Sequence, residues 1–108
     1  FAAETGTILP FVPAGFRSSW AQYTVQLPDS LNRSDLQMLL KKQNIPTMVY
    51  YPKPMHDQTA FEGKCLCPTG CSVTVELCRT VLSLPMGPYL EHANIQFVCE
   101  KLAEIGLR

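Results

Sequence analysis

The segment Val49-Tyr50-Tyr51-Pro52-Lys53-Pro54-Met55-His56 brings two phenols, an ammonium and an imidazole onto one short stretch stiffened by prolines. A phenol hydroxyl both donates and accepts a hydrogen bond, and an imidazole changes charge near neutral pH, so the group suits orienting a polar ligand or moving a proton. His56 stands in a loop after a strand-like run, where ligand-contacting groups concentrate. In a regular strand Tyr50 and Tyr51 point to opposite faces, which sends one ring inward and leaves the other hydroxyl outside. Lys53, between two prolines, reads by default as an exposed lysine, and His92, beside Glu91 at a helix start, as a solvent-facing polar residue.

A second chemical candidate is Cys65-Leu-Cys67-Pro-Thr-Gly-Cys71, where closely spaced thiolates could converge on zinc. The spacing lacks a second Cys-x2-Cys pair or a pair of histidines, so the five cysteines are read as ordinary thiols and no metal site is assigned. Cys78 and Cys99 fall in apolar helical patterns, where cysteine behaves as a small hydrophobe. Glycine-rich phosphate loops, His-Glu-x-x-His and Gly-x-Ser-x-Gly are all missing, and nothing marks a catalytic residue.

Nine basic and nine acidic residues in 108 cancel, leaving no electrostatic footprint for nucleic acid or an anionic membrane. No apolar run approaches the roughly 18 residues of a membrane helix, and the first residues lack the basic region of a signal peptide, so the expectation is a cytoplasmic chain. The start at Phe1, in a Pro- and Gly-punctuated segment, suggests a piece cut from a longer polypeptide.

The elements that must position these groups follow from periodicity. Residues 18–28, ending at Pro28, alternate polar and apolar and predict a half-buried strand, with Trp20 and Tyr23 read as core rather than as a stacking surface. Residues 32–45 predict a helix with Asn32 as N-cap and Leu36, Leu39 and Leu40 on one stripe; Lys41 and Lys42 complement its C-terminal dipole, and Asn44 tolerates a left-handed exit before Pro46. Residues 46–52 predict a short strand, a helix begins at Ser72, 81–86 form a third strand, and 91–106 a last helix with Ile95, Val98, Cys99, Leu102 and Ile105 on its stripe. This order predicts an α+β fold: a small three-stranded sheet with helices packed on it.

Three segments, Ser18-Ser-Trp-Ala-Gln-Tyr-Thr-Val-Gln-Leu27, Asn44 to Phe61 and Val81-Leu-Ser-Leu-Pro-Met-Gly-Pro-Tyr-Leu90, resemble in order and spacing the C-terminal domain of the DegT/DnrJ/EryC1/StrS family of pyridoxal-phosphate-dependent sugar aminotransferases. The likeness covers most of the chain, and its Trp20-Ala-Gln-Tyr-Thr24 portion is similar to branches acting on UDP-linked acetamido sugars in surface-polysaccharide synthesis. Tyr51, Pro52, Pro54 and His56 match family positions. Tyr50 stands where the family usually has histidine, Gly87 where it has histidine after the methionine, and Asn44 where it often has glycine.

The resemblance implies the C-terminal small domain of a fold-type I transferase, residues 18–108, with residues 1–17 as a linker from a missing N-terminal large domain. It implies a parent enzyme that moves an amino group from glutamate to a keto sugar nucleotide, with pyridoxal phosphate bound by the larger domain and no catalytic residue in this piece. Tyr50, Tyr51 and His56 are then substrate-binding groups that wall the nucleotide-sugar site in a homodimer. The rival reading is a free-standing, non-catalytic α+β binding or interaction module.

Overall fold

The computed structural model describes residues 1–66 and 68–106. A single helical turn, α1 (Ala2–Thr5), is followed by an extended run to β1 (Tyr23–Gln26), then α2 (Arg33–Lys42). Two 3-10 turns, Met55–Asp57 and Thr59–Phe61, shape the next loop. The chain closes with α3 (Ser72–Thr80), β2 (Val81–Leu84) and α4 (His92–Gly106).

β1 and β2 pair antiparallel, with Val25 opposite Leu82 and Thr24 opposite Ser83. The pairing is fastened on one face by a 2.7 Å contact between the hydroxyls of Thr24 and Ser83. Both ends of α2 follow sequence chemistry. The Asn32 carboxamide accepts from the backbone N–H groups of Ser34 (2.9 Å) and Asp35 (3.2 Å), satisfying donors that the first turn leaves open. Asn44 then adopts the left-handed conformation (φ 58°) expected of it.

The expected third strand does not form, and the sheet has two strands. In the segment 46–52 only Met48 reaches β2, exchanging backbone bonds with Ser83 at 3.1 and 2.8 Å. In the register set by Met48 opposite Ser83, the next bonded position on one side sets Pro46 against Pro85, and neither has an N–H to extend the ladder. On the opposite edge Ile8 makes an equivalent single bridge to Gln26. The sheet is thus two strands flanked by one bridge on each side.

The core lies between this sheet and the helices, built from Val25, Leu27, Leu36, Leu40, Ile45, Leu82 and Leu102. Leu36 and Leu40 are the buried residues of α2, one turn apart. Leu102 is the buried residue of α4, with Val98 and Ile105 packed against the same cluster, while Ile95 at the other end of the predicted stripe stays exposed. One polar clamp joins distant parts of the chain: the Arg33 guanidinium donates to the carbonyls of Cys78 (2.6 Å) and Val81 (3.2 Å) at the α3–β2 junction. It caps the end of α3, where carbonyls lack helical partners and the dipole favours a cation.

The cysteines depart in part from the reading as five thiols. Cys71 is in a disulfide, whereas Cys65, Cys78 and Cys99 are free, with Cys78 buried in the core side of α3. Cys67 lies outside the described residues. Among the described residues, no three of His, Cys, Asp and Glu converge as a metal-binding group.

Candidate functional site

Because residues after Met48 leave the sheet, Tyr50 and Tyr51 do not alternate across it. Both rings are exposed, Tyr50 at 38% and Tyr51 at 66%, which corrects the expectation that one would enter the core. The peptide between them is cis, and the rings meet edge to face with centroids 5.8 Å apart. The two phenols therefore form one aromatic corner at the start of the loop.

Downstream, Pro54 is buried and anchors the loop, and Met55–Asp57 turn tightly after it. That turn sets the His56 Nε2 atom 3.6 Å from the Asp57 carboxylate, with the His56 side chain largely shielded. At that separation the two groups are neighbours without a hydrogen bond between them, so the imidazole nitrogen is not committed to Asp57. His92 is exposed at the first position of α4. Lys53 is exposed as well.

Tyr50 lines a cavity of 220 Å³ together with Ala21, Gln22, Thr47, Met48 and Met86. Three separated segments thus meet there: the residues just before β1, the bridging strand-like segment, and the residues just after β2. Tyr51 and His56 do not line that cavity. A second, apolar cavity of 360 Å³ shares Leu84, Pro85 and Met86 with the first and is otherwise walled by Trp20, Tyr23, Leu90, Ile95 and Val98, among others. Trp20 and Tyr23 were expected in the core. Trp20 is instead 37% exposed and stacks on half-buried Tyr23, ring centroids 5.7 Å apart. Trp20 also carries φ 51°, a conformation that a bulky L-residue rarely adopts. Sequence reasoning missed its exposure because strand alternation was extended back to residue 18, whereas β1 begins at Tyr23.

The lysines do not form a cofactor site. The Lys101 amine pairs with the Glu104 carboxylate at 2.8 Å and lies over the Phe97 ring. The Lys64 amine reaches the Ala60 carbonyl at 3.5 Å, and Lys41, Lys42 and Lys53 occupy exposed positions. Among the described residues, none of these lysines is buried.

Comparison with known proteins places this architecture. The profile of the DegT/DnrJ/EryC1/StrS aminotransferase family matches residues 2–103. The chain is 37% identical over 100 residues, 92% of its own length and 26% of the relative's, to the UDP-2-acetamido-2-deoxy-3-oxo-D-glucuronate aminotransferase of Pseudomonas aeruginosa. It is also 37% identical over 87 residues, 81% of this chain and 22% of the relative, to a UDP-N-acetyl-3-dehydro-alpha-D-glucosamine 3-aminotransferase of Acidithiobacillus ferrooxidans. Among solved structures, a DegT DnrJ EryC1 StrS aminotransferase from Brucella abortus superposes with a TM-score of 0.87 at 34% identity, covering 99% of this chain and 28% of that one. S. venezuelae DesV, solved in complex with a ketimine intermediate, superposes with a TM-score of 0.84 at 26% identity, covering 99% and 29%. The chain thus spans about a quarter of the length of the relatives it matches. With the family profile matching across nearly all its residues and the fold shared throughout, the chain belongs to the DegT/DnrJ/EryC1/StrS aminotransferase family.

Proposed function

We propose that this chain is the C-terminal small domain of a pyridoxal-phosphate-dependent aminotransferase that moves an amino group from glutamate to a keto group on a sugar nucleotide. The preferred substrate is a UDP-linked sugar destined for surface polysaccharide, in keeping with the two UDP-sugar aminotransferases among its relatives. When bound, the cofactor carries the amino group between the two substrates; its lysine and phosphate site belong to a larger N-terminal domain. The chain's own residues bind and orient the sugar nucleotide, with Tyr50, Tyr51 and His56 as a wall. The setting is cytoplasmic, and among the described residues no helix is long and apolar enough to cross a membrane.

The observation that carries this reading is the Tyr50 cavity, where the loop meets the residues flanking β1 and β2 in a chain of this family. A second observation supports partners that cover much of the surface. The chain exposes 8000 Å², whereas a self-contained monomer of 12.1 kDa exposes about 6000 Å². Its radius of gyration is 15.7 Å, against about 13 Å for a compact domain of this length. The excess fits a piece that packs against its large domain and, in the homodimer, against a second subunit. Mass spectrometry of products from the full-length enzyme, supplied with glutamate and a panel of keto-sugar nucleotides, tests the assignment. An amino sugar nucleotide is expected, and its absence with every substrate refutes it.

A further inference from the structure

The run Pro10–Trp20 connects the Ile8 bridge to β1 outside the core, and it carries features that packing within this chain does not use. Phe11 and Phe16 are both strongly exposed, Phe16 at 76%. Arg17 makes no ion pair or side-chain hydrogen bond among the described residues. Trp20 is held in its left-handed backbone conformation, with its N–H donating to the Ser18 hydroxyl at 3.1 Å and its ring stacked on Tyr23. Unfavourable conformations of this kind persist where the surroundings impose them, and they concentrate at ligand-contacting positions.

Part of this run forms an open, shallow cleft of 760 Å³ lined by Phe16, Arg17, Ser18, Ser19 and Trp20, with Val12. The lining combines a guanidinium, two hydroxyls and flat aromatic surface. That set matches a nucleoside diphosphate: a planar fork for phosphate oxygens, hydroxyl donors, and a ring on which a base can stack. The cleft is also connected to the proposed sugar site. Trp20 and Gln22 together line the adjoining hollow, and Gln22 with Tyr50 lines the 220 Å³ cavity. A long ligand with its sugar beside Tyr50 can therefore run along this track.

The geometry points to the Phe16–Trp20 cleft as the seat of the nucleotide half of the substrate, a pyrimidine nucleoside diphosphate, with Trp20 stacking the base and Arg17 pairing with the diphosphate. The inference rests on the reading of the enzyme as a sugar-nucleotide aminotransferase. Trp20 acts through the face of its ring, so phenylalanine substitutes for it in part and alanine does not. Arg17 acts through charge, so it discriminates the diphosphate from the bare nucleoside.

The test is calorimetric titration of the full-length enzyme with UDP, dTDP and uridine, accompanied by a thermal melt of each variant. Trp20→Ala is expected to weaken UDP and uridine alike by about 5- to 100-fold, and Trp20→Phe to restore most of the loss. Arg17→Gln is expected to weaken UDP about tenfold or more, to leave uridine unchanged, and to flatten the dependence of UDP affinity on salt. If the wild-type enzyme binds UDP and both variants bind it equally well, the cleft is not the nucleotide seat. A Trp20→Ala variant with a lowered melting temperature and unaltered UDP affinity would overturn it too, making the cleft a packing face for the rest of the polypeptide. Failure of the wild-type enzyme to bind either nucleotide would sink the substrate reading itself, and the inference with it.

Discussion

Replacing Arg33 by methionine tests how the fold positions the exit of β2, where Leu84, Pro85 and Met86 line the Tyr50 cavity. Methionine keeps an apolar stem of similar reach and removes both donors, leaving the carbonyls of Cys78 and Val81 without the guanidinium that reaches them at 2.6 and 3.2 Å. A hydrogen bond to a charged group contributes about 1.5–3 kcal/mol. The residue is half-buried, so solvent screens part of its charge, and a loss of about 2 kcal/mol is expected for the pair of bonds. Urea unfolding followed by circular dichroism reads this directly. With a slope of about 1–3 kcal/mol per molar urea, the midpoint should fall by roughly 1 M, with the slope unchanged. Arg33→Lys should fall between the two, because an ammonium lacks the planar fork that spans both carbonyls. A methionine variant with the wild-type midpoint would refute the claim that this clamp ties α2 to the α3–β2 junction.

Leu40, fully buried, sits at the centre of the core, and Leu40→Ala should destabilise the chain by about 2–5 kcal/mol, measured by the same unfolding curve; a change below 1 kcal/mol would mean that the core is not organised around α2. The 108-residue chain should take up no pyridoxal phosphate covalently. Borohydride reduction followed by peptide mass spectrometry should find no stoichiometric lysine adduct, and a single labelled lysine would contradict the assignment of that role to another domain.

The parts of the fold legible in the sequence were those set by local chemistry. Asn32 announced its helix because a carboxamide beside open N–H groups has one obvious use, and Asn44 announced its end because few residues accept a left-handed backbone. Leu36 and Leu40 of the expected α2 stripe, and Val98, Leu102 and Ile105 of the α4 stripe, followed from helical periodicity, whereas Leu39 is only half-buried and outside the core cluster. The segment 46–52 misled because its β-branched and aromatic content suggested a strand, whereas in the folded chain it pairs at Met48 alone, with Pro46 set against Pro85 at the next bonded position. The same error carried over to Tyr50 and Tyr51, whose exposure depends on leaving the sheet. Trp20 was hidden in a similar way: its alternation looked strand-like, but tertiary contacts determine that β1 begins only at Tyr23. The short helix Ala2–Thr5 and the bridge at Ile8 have no strong local signal, since they are selected by contact with α4 and β1. The cysteine pattern was silent about pairing, because spacing alone does not distinguish the disulfide at Cys71 from a set of free thiols.

The central claim is that the Tyr50–His56 loop serves the sugar nucleotide and not the amino donor. Stopped-flow absorbance of the cofactor in the full-length enzyme separates the two half-reactions, and Tyr51→Phe and His56→Ala are the informative variants. Each removes a hydrogen-bonding group at the loop, which should cost about 0.5–1.5 kcal/mol, or roughly a two- to tenfold drop in the specificity constant for the sugar. The account predicts that drop in the sugar half-reaction, with the glutamate half-reaction preserved within about twofold. Equal impairment of both half-reactions, or of neither, would contradict it and leave the loop as scaffold.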